Sequence, residues 1–309
     1  MTKGLIVRST GSWYDIFDEE NQKSYKGRLR GRFKLKGMKV TNPIAVGDYV
    51  HFELENESEN TVVITELLKR DNYIIRQSTR KKYHGHVIAA NIDQAILIAT
   101  LVSPRTSLGF IDRFLVSAES FGIPVTIAFN KCDLLLEEDL EYQEQLMALY
   151  ENLGYNCVAI SALTDDDTDI IDELILGKKS LLAGHSGVGK STLINRIDPN
   201  ISQRTDEIST FADKGKHTTT FAQMFQVNDN SFVIDTPGIK ELGIIGLEDL
   251  TIGHFFPEIK DAMGHCKYHN CTHVHEPNCE VLKRVEGGKI ALPRYQSYLS
   301  ILNSDDNRR

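Results

Sequence analysis

The chain has 309 residues, 41% hydrophobic and 25% charged, enough apolar material for two or three cores and too even a mixture for a disordered or collagen-like polymer. Its net charge of −8 is unevenly spread: Leu134 to Gly177 holds twelve acidic residues and no lysine or arginine, which leaves the remainder at +4. No run of 18 apolar residues exists, and MTKGLIVRST lacks the apolar centre of a secretory leader, so the expectation is a cytoplasmic protein without membrane contact.

In chain order, the first stretch reads as short alternating strands at Gly4–Thr10, Tyr25–Lys34, Asp48–Leu54 and Thr61–Leu68, with turn signals at Asn42-Pro43 and Gly47-Asp48. Several short strands without a helix predict a small β-barrel, and about five would suit an OB-type fold. Within it, Lys23 to Lys39 carries eight basic residues and no acidic one, interleaved with Tyr25 and Phe33. Cations on one strand face suit a phosphate backbone, and Tyr25 and Phe33 are the candidates to stack on bases. Arg76 to Lys82 adds four more cations.

From Ile92 the pattern changes. Apolar runs at Ala95–Thr100, Pro124–Phe129, Asn156–Ile160, Ser180–Ala183 and Phe232–Ile234 alternate with helical stretches at Ile111–Phe121, Leu134–Leu153, Asp169–Leu176 and Lys190–Ile197. Buried strands alternating with helices predict a parallel sheet covered on both faces. Residues 198–220 show no period and are expected to form a mobile loop. Beyond Leu242 the chain turns helical and short-looped. The division expected is therefore a barrel over 1–72, an α/β domain over 73–243 and a small C-terminal domain over 244–309.

Gly184-His185-Ser186-Gly187-Val188-Gly189-Lys190-Ser191 matches the phosphate-loop pattern G-x-x-x-x-G-K-[ST], after a strand and before a helix. Its glycines let backbone N–H groups close around phosphate oxygens at a helix N-terminus, with Thr192 next in line. Lys190 would bridge the β- and γ-phosphates and Ser191 would ligate Mg²⁺. Asn130-Lys131-Cys132-Asp133 follows a strand and matches N-K-x-D. An aspartate there accepts two hydrogen bonds from guanine and leaves adenine no matching donors. Lys131 would cover the base, Asn130 would brace the loop, and Ser161-Ala162 resembles the loop whose backbone contacts guanine O6.

Asp235-Thr-Pro-Gly238 fits D-x-x-G, the turn that senses Mg²⁺ and γ-phosphate; Asp261-Ala-Met-Gly264 also matches, but without a preceding strand. In Gly215-Lys-His217-Thr218-Thr219-Thr220, Thr219 is the chosen Mg²⁺ ligand, with Thr218 and Thr220 as neighbours that could replace it. Many GTPases place a water-orienting glutamine after D-x-x-G; here Ile239 cannot serve, and His217 becomes the candidate to hold the attacking water. The guanine motifs precede the phosphate loop, so the site would be assembled from a circularly permuted chain.

Cys266-x₄-Cys271-x-His273-x₅-Cys279 supplies four ligands in fourteen residues, the set for one closed, structural Zn²⁺ site. His265, His269 and His275 are nearby rivals for the fourth place. Cys132 and Cys157 read as packing residues.

Together these residues resemble the RsgA (YjeQ) family of circularly permuted GTPases, which act in small ribosomal subunit biogenesis. The resemblance spans nearly the whole chain, from an OB-like start through N-K-C-D, the phosphate loop, G-K-H-T-T-T and D-T-P-G to the Cys/His cluster; Lys216 stands where the family often shows arginine. It implies a P-loop GTPase domain between a barrel and a helical zinc-binding domain, hydrolysing GTP to GDP and phosphate with Mg²⁺. It further implies stimulation by the small ribosomal subunit late in its maturation, with barrel and zinc domain on ribosomal RNA; a monomer is expected. Spacing and periodicity alone reach only a guanine-nucleotide hydrolase with RNA-binding attachments. A non-ribosomal switch GTPase acting on free RNA, or a non-enzymatic RNA-binding module, are the alternatives.

Overall fold

The computed structural model describes residues 2–30, 42–77, 85–164, 168–199, 201, 222–228, 230–235 and 249–303. Five strands close the N-terminal barrel: β1 (Thr2–Ser9), β2 (Tyr14–Asp18), β3 (Lys23–Leu29), β4 (Tyr49–Asn56) and β5 (Thr61–Leu67). β1 pairs antiparallel with both β2 and β4, and β3 runs parallel to β5, which closes the ring. Period-two alternation turns Ile6, Tyr14, Ile16, Val50, Phe52, Val62 and Ile64 into one core. Tyr25 also turns inward, its ring 5.2 Å from that of Phe52, so it is not the stacking platform the sequence suggests. Phe33 lies outside the described residues; among the described barrel residues, Trp13 presents an exposed aromatic ring.

A two-stranded ribbon, β6 (Tyr73–Gln77) and β7 (Gly85–Ala90), follows the barrel. Before it, Arg70 and Asp48 form a buried ion pair at 2.6 Å, and Asp48 also accepts the Ala45 amide. The second sheet contains β8 (Gln94–Ala99), β9 (Val125–Phe129), β10 (Asn156–Ala159), β11 (Lys179–Ala183), β12 (Gln223–Asn228) and β13 (Ser231–Asp235). Its order is β10-β9-β8-β11-β13-β12, parallel except for β12. Every residue of β8 is buried, as expected of a central strand covered on both faces.

Helices α1 (Leu108–Ser120) and α2 (Glu137–Asn152) pack one face; α3 (Thr168–Ile175) and α4 (Lys190–Ile197) pack the other. The barrel is not a separate bead. β1 pairs with β12 at Arg8 and Gln223, Phe17 meets Phe232 edge-on, and Leu5 and Val46 belong to the core under α1. The short strands β2, β6, β7 and β12 are absent from the sequence-based reading. Tertiary pairing creates them, since each mixes polar residues into too few positions to show a period.

A 3-10 turn over Asp249–Phe255 leads to α5 (Pro257–Met263), α6 (Glu280–Glu286) and α7 (Leu292–Leu302). These pack Ile252, Phe256, Ile259, Val281 and Tyr298 against Val116 of α1. Between them Arg294 is almost fully buried. It donates to Asp112 of α1 at 2.6 Å and to Glu258 of α5 at 2.7 Å, while Tyr150 of α2 donates to the same Asp112 oxygen at 2.9 Å. Burial opposes the arginine's charge, but the two carboxylates hold it cationic. Among the described residues no helix is long and apolar enough to cross a membrane.

Candidate functional site

Three loops meet at the carboxyl ends of β9, β10 and β11, where parallel sheets hold their ligands. The phosphate loop leaves β11 with Gly184 at φ +147°, Gly187 at +86° and Gly189 at +99°. Two of these glycines also solve close approaches: a Cβ on Gly184 would lie 2.4 Å from the Ile98 carbonyl oxygen, and one on Gly189 would lie 2.3 Å from the Asn130 amide nitrogen. Lys190 opens α4 and folds its ammonium over the loop, donating to the carbonyls of Gly184 at 2.6 Å and His185 at 2.8 Å. Burial lowers its pKa, with Asp235 at the end of β13 acting in the opposite sense. Asp235 is thus within electrostatic reach of Lys190. Ser191 is exposed and Thr192 half-buried in the first turn of α4.

Asn130 is the tie between the loops. Its side-chain amide donates to the Val188 carbonyl at 2.7 Å, and its oxygen accepts the Ala162 amide at 2.9 Å. One buried side chain therefore joins the N-K-x-D turn, the phosphate loop and the Ser161-Ala162 loop. Lys131, at φ +68°, reaches back to the Ser103 carbonyl, and the Asp133 carboxylate accepts the Ser161 hydroxyl. Cys132 is held below them by Gln143 of α2, whose amide donates to its sulfur at 3.3 Å. Arg196 on α4 donates to the Ala162 carbonyl at 2.9 Å, a brace for the Ser161-Ala162 loop that no local motif signals.

Lys216, His217, Thr218, Thr219, Thr220, Gly238 and Ile239 lie outside the described residues, as do Arg80, Lys81, Lys82 and the arm from Gly31 to Lys39. The second D-x-x-G match falls in α5, where Asp261 is paired with Arg284 at 2.5 Å on the helix surface. Cys157 is a buried packing residue whose thiol burial pushes up to about 12.

The ligand atoms of Cys266, Cys271, His273 and Cys279 all lie within 4.8 Å of one another. The His273 Nδ1 is 3.6 Å from the Cys266 sulfur and 3.5 Å from that of Cys279, and the two sulfurs are 3.9 Å apart. A tetrahedral zinc ion, with sulfur near 2.3 Å and nitrogen near 2.0–2.1 Å, sets edges of about 3.8 Å and about 3.6 Å. The four residues thus fit a closed, structural zinc site. His273 is buried at φ +59°, whereas His265, His269 and His275 are exposed, which settles the rivalry among the histidines.

The ligand loop is held from outside. Glu276 accepts the Thr272 amide and hydroxyl at 2.7 and 2.6 Å and the amides of Val274 and His275. Although burial works to raise it, these bonds keep its carboxyl well below the usual carboxylate range. Tyr295 and Tyr298 of α7 donate to the carbonyls of His273 and Thr272, each at 2.7 Å. Tyr295 and Tyr298 come from outside the ligand motif, and the Glu276 carboxylate is spent on hydrogen bonds within the loop, so spacing alone could not find these supports.

Comparison with known proteins agrees with this geometry. A family model described as RsgA GTPase matches residues 67–245, and one described as RsgA N-terminal domain matches residues 3–62. The chain is 50% identical over 307 residues to the small ribosomal subunit biogenesis GTPase RsgA of Cytophaga hutchinsonii, covering 99% of this chain and 100% of that protein. It is 48% identical over 304 residues to the protein of the same name from Bacteroides fragilis, covering 98% and 97%. Among solved structures it is similar to YjeQ from Thermotoga maritima, at TM-score 0.78 and 34% identity, over 100% of this chain and 99% of that one. It is likewise similar to YloQ, a circularly permuted GTPase, at TM-score 0.73 and 29% identity, over 100% and 96%.

Proposed function

The chain belongs to the RsgA GTPase family, and from that premise we propose that it docks on ribosomal RNA of the small subunit through its barrel and zinc domain, as a monomer in the cytoplasm, late in maturation. Its activity is hydrolysis of GTP to GDP and phosphate, in small ribosomal subunit biogenesis. The observation that carries the reading is Asn130, which donates to the phosphate loop 58 residues away and accepts from the Ser161-Ala162 loop, tying both to the base-reading turn.

In the mechanism proposed, Asp133 accepts the two guanine donors while Ser161 fixes its carboxylate and the Lys131 stem covers the ring. The amides of Gly184 to Thr192 receive the phosphates. Lys190, now held by its own loop carbonyls, exchanges those two acceptors for β- and γ-phosphate oxygens. Mg²⁺ neutralises developing phosphate charge when bound, with Ser191, Thr219 and Asp235 as the residues that would hold it. His217 is assigned to orient the attacking water and Gly238 to sense the γ-phosphate. The tethered zinc domain follows the D-x-x-G turn directly in sequence.

The test is GTP turnover with purified small subunits, large subunits or free RNA. Selective acceleration by small subunits supports the role; acceleration by free RNA alone favours a non-ribosomal switch. His217→Ala should keep GTP affinity and lose turnover by about 10²-fold or more, the usual worth of a positioned proton acceptor. Retained turnover would remove His217 from the mechanism.

A further inference from the structure

The acidic segment carries an outward face that the nucleotide chemistry leaves unused. Of eleven large hydrophobic side chains exposed among the described residues, six lie between 134 and 177. Three of these, Leu134, Leu136 and Leu140, cluster at the start of α2, with Leu136 74% exposed. Leu136 and Leu140 are four apart and share one helix face. The adjoining face is already committed, since Gln143, three positions from Leu140, is buried together with Leu146 and Tyr150.

Beside that apolar stripe run Glu137, Glu141 and Glu144, with Glu138 and Asp139 next to them. The described residues offer none of these five a lysine or arginine partner, whereas barrel acids such as Asp15, Glu53 and Glu55 face arginines. Arg105 approaches α2 only over the ring of Tyr142. The helix dipole accounts for acids in the first turn, but not for Glu141 and Glu144. Glu137 with Glu141, and Glu141 with Glu144, are like-charge neighbours that weaken a helix. An apolar stripe bordered by uncompensated acids repels a phosphate backbone and also a second copy of itself. It suits a cationic polypeptide with apolar anchors.

We propose that this face of α2 docks a lysine- and arginine-rich segment of a small-subunit protein, its apolar side chains seated on Leu134, Leu136 and Leu140. The proposal rests on the small-subunit reading above. It places a protein contact beside the guanine-reading turn, because α2 begins four residues after Asp133 and its Gln143 touches Cys132.

The experiment is co-sedimentation of the full chain with purified small subunits and a non-hydrolysable GTP analogue. Combined Glu137→Lys, Glu141→Lys and Glu144→Lys should weaken binding by about tenfold or more at low salt, since close charge pairs steer and hold such contacts. If RNA occupied the face, the same three lysines would tighten binding, and that outcome, like no change, overturns the proposal. Leu140→Ser, at an exposed position, should also weaken subunit binding while GTP affinity and basal turnover stay at the wild-type level. A photo-crosslinking residue in place of Leu140 should join a basic subunit protein. Adducts only with RNA or with a second copy of the chain, or none while the same group in place of Tyr268 crosslinks, overturn it. Failure of the wild-type chain to co-sediment overturns the small-subunit reading and the docking with it.

Discussion

Four zinc ligands come from fourteen consecutive residues, whereas the nucleotide site collects loops from Asn130 to Asp235 that only the parallel sheet brings together. The first centre closes on itself: Cys266, His273 and Cys279 already stand near tetrahedral edge lengths with Cys271 in the same 4.8 Å cluster, and Glu276, Tyr295 and Tyr298 fix the loop from behind. The second has no local closure: Asn130 ties three loops together, with Ser161 on Asp133 and Arg196 on Ala162 as further cross-links between them. A site of the first kind fails by losing an ion, and one of the second kind by losing an alignment. The two should therefore respond to different perturbations.

Cys271→Ser tests that independence most severely. Zinc content should fall from about one per chain to zero, because three ligands hold a structural ion poorly. GTP affinity should stay within about twofold, since no donor of the nucleotide site is touched. Coupled loss of GTP binding, read by titration calorimetry, would break the comparison. Asp133→Asn should act on the other centre alone, lowering GTP affinity by about 10⁴-fold, the cost of leaving buried partners of a lost acceptor unpaired. A xanthine nucleotide, which presents an oxygen to the new amide, should recover part of that loss.

Arg294→Met addresses the place where the two regions touch. Removing one member of a buried ion cluster leaves Asp112 and Glu258 uncompensated and should cost about 3–5 kcal/mol in denaturant unfolding. Adding Asp112→Asn should return part of it, and a fully additive double variant would show that the cluster is not a unit. An effect of similar size is expected from Asn130→Ala, which orphans the Ala162 amide and the Val188 carbonyl at about 1–3 kcal/mol each. GTP binding should weaken tenfold or more while zinc content is unchanged.

Much of the chemistry was legible because it is local. The phosphate loop, the N-K-x-D turn and the Cys/His spacing each place their meaning within a few residues. The strands that present the first two, β9 and β11, are short, mostly apolar and almost wholly buried, the kind of run that can be read without context. What could not be read is what crosses distance. Asp112 and Arg294 are 182 residues apart, and nothing beside either marks the other. β12 follows a polar stretch, and β2 carries Asp15 and Asp18 on a five-residue strand, so neither shows a period of its own. The choice of His273 over His275 also required coordinates, since both lie at plausible spacing and only burial separates them.

The permuted strand order has a consequence for how the chain comes into being. Chains emerge from the ribosome N-terminus first, and domains begin to fold as they appear. β8, β9 and β10 can pair in that order as they leave the tunnel, with the base-reading turn already at the end of β9. The β8 edge then waits for β11, which arrives only after Gly177 and brings the phosphate loop with it. Each newborn molecule thus builds its guanine-selecting half before it owns the half that grips phosphate. For that interval it carries an exposed strand edge, the feature through which nascent chains aggregate. Nucleotide can be held only once β11 has filled the gap, so competence for GTP is acquired late and all at once.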